Sequence, residues 1–339
     1  MKSSGIGGQA VIEGIMMRNQ NEYAIAVRKP DNEIEVKKEK VNKSDKVKKT
    51  RQIPFLRGVF SFVDSMVLGM STIAFSASFF EDEGPSAEPD RFTLFMKKVF
   101  KDKAETVVMG CTIAMSIILA IALFMVLPVF VSNFAKGLMK NDMLLIVFEG
   151  VFRVLLFVCY VVAISFLSDI KRVYMYHGAE HKCINCIEHG KVLTVENVQK
   201  SSRLHKRCGT SFLLIVMVIM LVVNIIVSTI YPITNLALRV LSRVVLVPIV
   251  AGISYEFLRL AGNSDNIIIR FLSKPGMALQ KLTTKEPDDS MVEVAIVAVE
   301  AVFDWKEYLT ENFDVHFEES PKVSESEAMI KEIDVVKED

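Results

Sequence analysis

Four apolar runs dominate this chain, at 107–131, 143–167, 212–231 and 236–260. Each is long enough to cross the ~30 Å hydrocarbon core of a bilayer as a helix. In lipid every backbone N–H and C=O must find its partner within the protein, so runs of this kind fold as a helical bundle. The rest of the composition agrees: 51% of the 339 residues are apolar and the mean hydropathy is +0.35, high for a soluble enzyme. A fifth stretch, 58–80, is apolar but diluted by Ser61, Asp64, Ser65, Ser71, Thr72, Ser76 and Ser78. It reads as an interfacial or re-entrant helix rather than a full span.

Loop charge sets the orientation. Lys and Arg crowd 37–51 and 171–207, whereas 132–142 and 232–235 are short and carry little charge. Both termini and the island between the second and third spans are therefore expected in the cytoplasm. A full span at 58–80 would place the basic amino-terminal segment on the opposite side. The start of the chain lacks an apolar h-region, so no cleavable signal is expected. Of the five cysteines, Cys111 and Cys159 sit in apolar runs. Cys183, Cys186 and Cys208 read as thiols of a reducing compartment rather than a disulfide framework.

The fold class expected is an α-helical multi-pass membrane protein of about four spans, with a small cytoplasmic α+β cap. Residues 1–52 form a β-containing segment: 23–28 is β-prone, Pro30-Asp31-Asn32 is a turn and 33–37 alternates, which together predict a hairpin. The paired Gly7 and Gly8 before it let the backbone approach something closely, and 37–51 is a solvated basic linker. The interfacial helix and a loop take up 53–105. The bundle occupies 106–262 and carries the polar island 169–211. Residues 263–313 are helical, with a short helix from Lys274-Pro275-Gly276-Met277 towards Leu282. A capping box, Ser290-Met291-Val292-Glu293, opens an amphipathic helix to about Phe303. The acidic 314–339 reads as a disordered tail.

Inside the spans, Glu149 and Arg153 are one helical turn apart, as are Arg239 and Arg243. Glu149 is expected to pair with Arg153 or Arg243 in a structural role, and Arg239 to snorkel towards water.

The island holds four of the five histidines. With no breaker after Leu167, the second span is expected to continue as helix through Tyr174 to about His189 and to stop at Gly190. His177 and His181 then share one face with Glu180 between them. This H-x-x-E-H order is that of the inverted zinc-protease motif, two metal-binding histidines and a glutamate base. His205-x-x-Cys208 lies before the third span at the same membrane surface, which offers His205 as a third ligand and Cys208 as a fourth ligand or a neighbour of the metal. A rival set, Cys183, Cys186, His205 and Cys208, has close to zinc-ribbon spacing and would make a closed structural site. In a third reading Cys183 and Cys186 simply pack. Arg203, Lys206 and Arg207 flank Gly209-Thr210-Ser211 at a helix amino terminus. They suit either a phosphate-bearing substrate or lipid headgroup, or a purely topological role. Glu13, Glu256 and Glu286 are single carboxylates with no spacing argument of their own.

The segments 7–18, 176–182, 205–212 and 275–287 together resemble the bacterial YqhQ family, a domain of unknown function often labelled a predicted metal-dependent enzyme. The resemblance implies a multi-pass protein of the inner membrane. It centres the site on His177, Glu180, His181, His205 and Cys208, does not feature Cys183 and Cys186, and usually has Pro where this chain has Lys206. It also implies that Glu13 and Glu286 come in from the two caps to meet the island. The expected function is a metal-dependent hydrolase or transferase acting on a lipid-linked or membrane-proximal substrate. The metal is a divalent ion, zinc by its ligands. Glu180 is the base and Arg207 the anion holder, with Glu13, Lys182, Glu256 and Glu286 in support. The alternatives are a non-enzymatic scaffold or regulatory protein with a structural zinc site, and a transporter. Membrane lipid is the expected partner, and no nucleic acid is expected.

Overall fold

A computed structural model describes residues 2–40, 53–80, 104–139, 141–205, 208–233, 235–262 and 267–317. Most of the basic linker, the 81–90 loop, nearly all of the acidic tail, Lys206 and Arg207 lie outside these residues.

The amino-terminal segment is a four-stranded antiparallel meander: β1 (Gly7–Val11), β2 (Gly14–Asn19), β3 (Glu22–Arg28) and β4 (Ile34–Lys40). The predicted hairpin is its β3–β4 half, turning through Asn32 at φ 66°. The central strands are buried on both faces, which is why they read as apolar runs rather than alternating ones. On one face Val11, Met16, Ile25 and Val27 meet Leu68 and Phe75 of the first helix, α1 (Leu56–Ala77), and Phe79 just after it.

Among the described residues five helices are long and apolar enough to cross a membrane: Leu56–Ala77, Val107–Ala135, Met143–Ile164, Leu213–Ile230 and Leu236–Phe257. The expectation was four, with 58–80 set aside for its polar dilution. That dilution has another cause. Gly58, Gly69, Thr72 and Ser76 are the buried seam of α1, where small residues let neighbours approach, while Val63, Met66, Val67 and Met70 point outward. Thr72 and Ser76 return their hydroxyls to the helix's own carbonyls at 3.0 and 2.9 Å, and Ser76 Oγ also accepts from Ile12 N at 3.1 Å.

The next span is α2 (Ala104–Ile121), a π-helical turn (Ala122–Val126) and α3 (Leu127–Ala135). It is followed by α4 (Asp142–Ile164), capped by the Asn141 side chain. The second span does not run on into the island. Its helix ends at Ile164, Leu167 is extended (φ −69°, ψ 133°), and α5 (Ser168–Glu188) starts afresh. Ser165 turns its hydroxyl onto Val162 O at 2.7 Å, a local competitor for helix bonding that needs neither Gly nor Pro. The stop is where Gly190 places it, at φ 75°.

After the short α6 (Val195–Gln199) come the spans α7 (Gly209–Ile230) and α8 (Leu236–Gly262). The carboxy-terminal segment is α9 (Ile267–Thr283), α10 (Asp289–Glu300) and α11 (Trp305–Phe313). Pro275 lies inside α9 rather than at its start. The cap of α10 is Asp288, which accepts from Met291 N at 3.0 Å, not Ser290. Arg239 does not snorkel; it turns inward to Glu149 together with Arg153 and Arg243. The second face of the sheet, through Ile15, Met17, Ala24 and Ala26, packs with α5 and α10 into a single core. The sheet therefore lies between α1 and the α5–α10 layer, with its first strand against the middle of α5.

Candidate metal centre

α5 carries His177, Glu180 and His181 one turn apart, and three other parts of the chain converge on them. Gly178 lets the segment after α9 cross the helix at backbone distance, since a Cβ there would stand 2.0 Å from Lys285 O. The crossing brings Thr283 O to 2.9 Å from His177 Nδ1. From the loop after α6, Arg203 O lies 2.7 Å from His181 Nδ1. A carbonyl can only accept, so both Nδ1 atoms donate, and in the neutral ring Nε2 is then the atom with the free lone pair. This is the arrangement that orients metal-binding histidines. Cys208, the N-cap of α7, sets its Sγ 3.4 Å from His177 Nε2. The donor atoms of His177, His181 and Cys208 all lie within 4.8 Å of one another, and no other such group of three occurs among the described residues.

Glu180 stands beside this trio, its Oε2 3.9 Å from His177 Nε2. Its Oε1 accepts from Gly8 N at 3.0 Å. A Cβ on Gly8 would come within 3.0 Å of Glu180 Cγ, so the second of the paired glycines is the one that permits the approach. Burial pushes the Glu180 carboxyl up from its ordinary value, against the opposing pull of His177 and the Gly8 amide. In front lies a cleft of about 650 Å³, bordered by Gly8 and Arg18 of the sheet, Ser65 and Leu68 of α1, and Thr210 and Leu213 of α7.

Residues 53–305 match the family described as "Protein of unknown function (DUF1385)". The chain belongs to this family. It is 36% identical over 293 residues to the "Uncharacterized protein YqhQ" of Bacillus subtilis (strain 168), an alignment covering 86% of this chain and 89% of that relative. No solved structure matches. The family membership expected from the motifs therefore holds. His177, Glu180, His181, His205 and Cys208 all fall inside the matched span, whereas Gly8 and Glu13 precede it.

His205 is near the trio but not part of it. Its ring lies 5.9 Å from that of His181, while its Nε2 is 3.3 Å from Glu188 Oε2. The Gln280 side chain clasps its backbone at 2.9 and 2.7 Å. The sequence reading overlooked Glu188, although it lies two turns after His181 on the same helical face; it is fully buried and also holds Ser4.

The ribbon set is not assembled. Cys183 and Cys186 point into the core beside Ala179 and Ile187. Burial holds the Cys183 thiol well above its ordinary value and pushes Cys186 up to about 11.

Of the three supporting carboxylates, Glu13 and Glu286 meet the island away from the trio, and Glu256 does not. Glu13 pairs with Arg172 and accepts from Tyr176 Oη at 3.2 Å. Glu256 is held by Arg57 and Phe55 N, on the α1–α8 contact rather than at the island. Glu286 does reach the island's flank, bridging Lys182 Nζ at 2.8 Å and Arg203 Nε at 3.2 Å. It thus braces the loop whose carbonyl orients His181. Arg203 accordingly faces Glu286 rather than the α7 amino terminus, where the Thr210 amide already donates to Cys208.

Proposed function

We infer that this chain is a metal-dependent membrane enzyme, a hydrolase or transferase whose site faces a lipid-linked or membrane-proximal substrate. The observation that carries the reading is the donor trio: two histidines with Nδ1 tied to backbone carbonyls, one cysteine, and a buried carboxylate at their edge in an open cleft. His177, His181 and Cys208 would hold the ion. Three protein ligands beside a cleft are the composition of a catalytic zinc site, which supplies a Lewis acid that polarises substrate and acidifies water. Glu180, made more basic by burial, takes the proton released from the attacking group. Gly8 N and the sheet edge fix that carboxylate's direction. Arg18 provides a cation at the sheet side of the cleft for a phosphate-bearing group. Leu68 and Leu213 line the opposite side, where an acyl or isoprenoid chain would lie.

The packing also supports four crossings. β1 touches α5 through Gly8 and Glu180, so the sheet and α5 share one side of the membrane. The chain between them must then cross an even number of times, although three long apolar helices intervene. α1 is the least apolar of the three, and Leu68 and Phe75 bind it to the sheet. It therefore enters or lies along the bilayer without crossing. Loop charge supports a cytoplasmic position for the sheet, the island and both termini, at the inner membrane of a bacterial cell.

The test is metal analysis of the detergent-purified protein. His177→Ala and Cys208→Ala should lose the ion, whereas Cys183→Ala and His205→Gln should keep it. Glu180→Gln should keep the metal and abolish turnover of phosphorylated lipid substrates. Metal loss on Cys183→Ala with retention on His177→Ala would select a closed structural site instead.

A further inference from the structure

At the far end of the bundle, a second polar cluster lies among the spans. Glu149, on the second turn of α4, receives three guanidinium groups. Arg153 Nη2 donates to it at 3.0 Å, Arg239 Nη2 at 2.7 Å and Arg243 Nε at 3.2 Å. Three positive charges therefore meet one negative charge, an excess of two, and Glu149 is the one carboxylate in contact with them among the described residues. The surroundings are built to hold them. The π-helical turn at Ala122–Val126 presents Phe124 O to Arg153 Nε at 2.9 Å, and Ser132 Oγ lies 3.3 Å from Arg239 Nη2. Single widened turns of this kind cluster at functional sites. One donor is still unmatched: Arg243 is 1% exposed, and its Nη2 has no acceptor.

Excess charge inside a membrane bundle is costly unless a counter-charge accompanies it, and ionisable groups kept there mark functional sites. The planar forks of several arginines match the oxygens of a phosphate better than they match one carboxylate. We propose that Arg153, Arg239 and Arg243 form a binding site for a phosphate group, whether the phosphodiester of a lipid headgroup or free inorganic phosphate. The cluster lies about 15 residues of α4, roughly 22 Å, from the helix end at Ile164 that leads to α5 and the metal centre. It is thus a separate site at the opposite membrane face, independent of whether a metal is bound.

The test uses full-length protein in detergent and in nanodiscs, with unfolding temperature and native mass spectrometry as readouts. Inorganic phosphate is compared with chloride at equal ionic strength, and phosphatidylglycerol with phosphatidylcholine. The expected result is a rise in unfolding temperature with phosphate, with phosphatidylglycerol, or with both. The apparent affinity should weaken at least tenfold in Arg243→Gln. A response to phosphate identifies a free-anion site; a response to phosphatidylglycerol alone identifies a headgroup site. Should Arg243→Gln not fold, Arg239→Gln, which alters the more exposed edge of the cluster, decides the matter. If neither anion shifts the wild type, or if the folded variants respond as the wild type does, the cluster is a self-contained structural network and the proposal fails.

Discussion

Gly7 and Gly8 are indistinguishable in sequence, yet the structure gives them opposite sensitivities. A methyl group on Gly7 would meet nothing within 4 Å. On Gly8 it would stand 2.7 Å from Met16 O and about as close to Glu180 Cγ, at 3.0 Å. Met16 O cannot yield easily, because the β1–β2 ladder fixes it, with Gly8 opposite Met17. The relief must come from β1 moving off α5, which breaks the 3.0 Å bond from Gly8 N to Glu180. A hydrogen bond to a buried charged group is worth about 1.5–3 kcal/mol. Gly8→Ala should therefore cost about 2 kcal/mol, and Gly7→Ala should stay within about 0.5 kcal/mol of the wild type. Chemical unfolding in mixed micelles, followed through Trp305 in the same cap, measures both. Metal content should be unchanged in each variant, since no ligand is touched. Equal stability of the two variants would refute the contact between β1 and Glu180, and with it the placement of the sheet over the site.

Gly178→Ala should be worse than Gly8→Ala, by roughly 3 kcal/mol or more, and should also lower metal content. Its Cβ would meet the Lys285 carbonyl of the segment that orients His177. Glu286→Ala should do little, under about 1 kcal/mol with full metal occupancy, because its side chain is two-thirds exposed and its role is to brace the loop. Maleimide at pH 7.5 should leave Cys183 and Cys186 unlabelled until the protein is unfolded, as peptide mass mapping would show. The same burial gives a pH dependence. Raised thiol values mean that the unfolded chain loses these protons first, so stability should hold below pH 9 and decline from there towards about 11 in an alkaline titration. A Cys183→Ala, Cys186→Ala double variant should flatten that decline.

The spans were legible because apolar length has few other uses, and the histidine pair because one helical turn fixes its spacing. Three misreadings share a cause: the sequence shows which groups are polar, not which partner takes them. The serines and threonine of 58–80 count in the sequence only as a dilution of its apolar character, but Thr72 and Ser76 bond back to their own helix and line a packed seam. His205 had metal-ligand spacing to Cys208, yet Glu188, two turns beyond His181, takes its Nε2. The second span lacked Gly and Pro after Leu167, yet Ser165 and the Ser168-Asp169 start divide it in two. The doublet Cys183-x-x-Cys186 illustrates the converse: on a helix with Ala179, Ile184 and Ile187, the same spacing is a core stripe. No local signal links Gly8 to Glu180 or Thr283 to His177, because these contacts join parts of the chain more than a hundred residues apart.

Those remote contacts bear on what the trio is for. His177, His181 and Cys208 are each set by a different segment, through Thr283 O, Arg203 O and the first turn of α7. In the neutral form the carbonyls commit both imidazoles to the tautomer whose Nε2 lone pair faces inward. Lone pairs gathered within 4.8 Å repel one another unless a proton or a cation stands among them. The Cys208 thiol can supply one proton, to His177 Nε2 at 3.4 Å, which leaves His181 unanswered. A divalent ion would answer all three donors at once. Its binding would also hold together the segment that ends in Arg203 to His205, the start of α7 and the segment after α9, so that occupancy and cap stability would become one equilibrium.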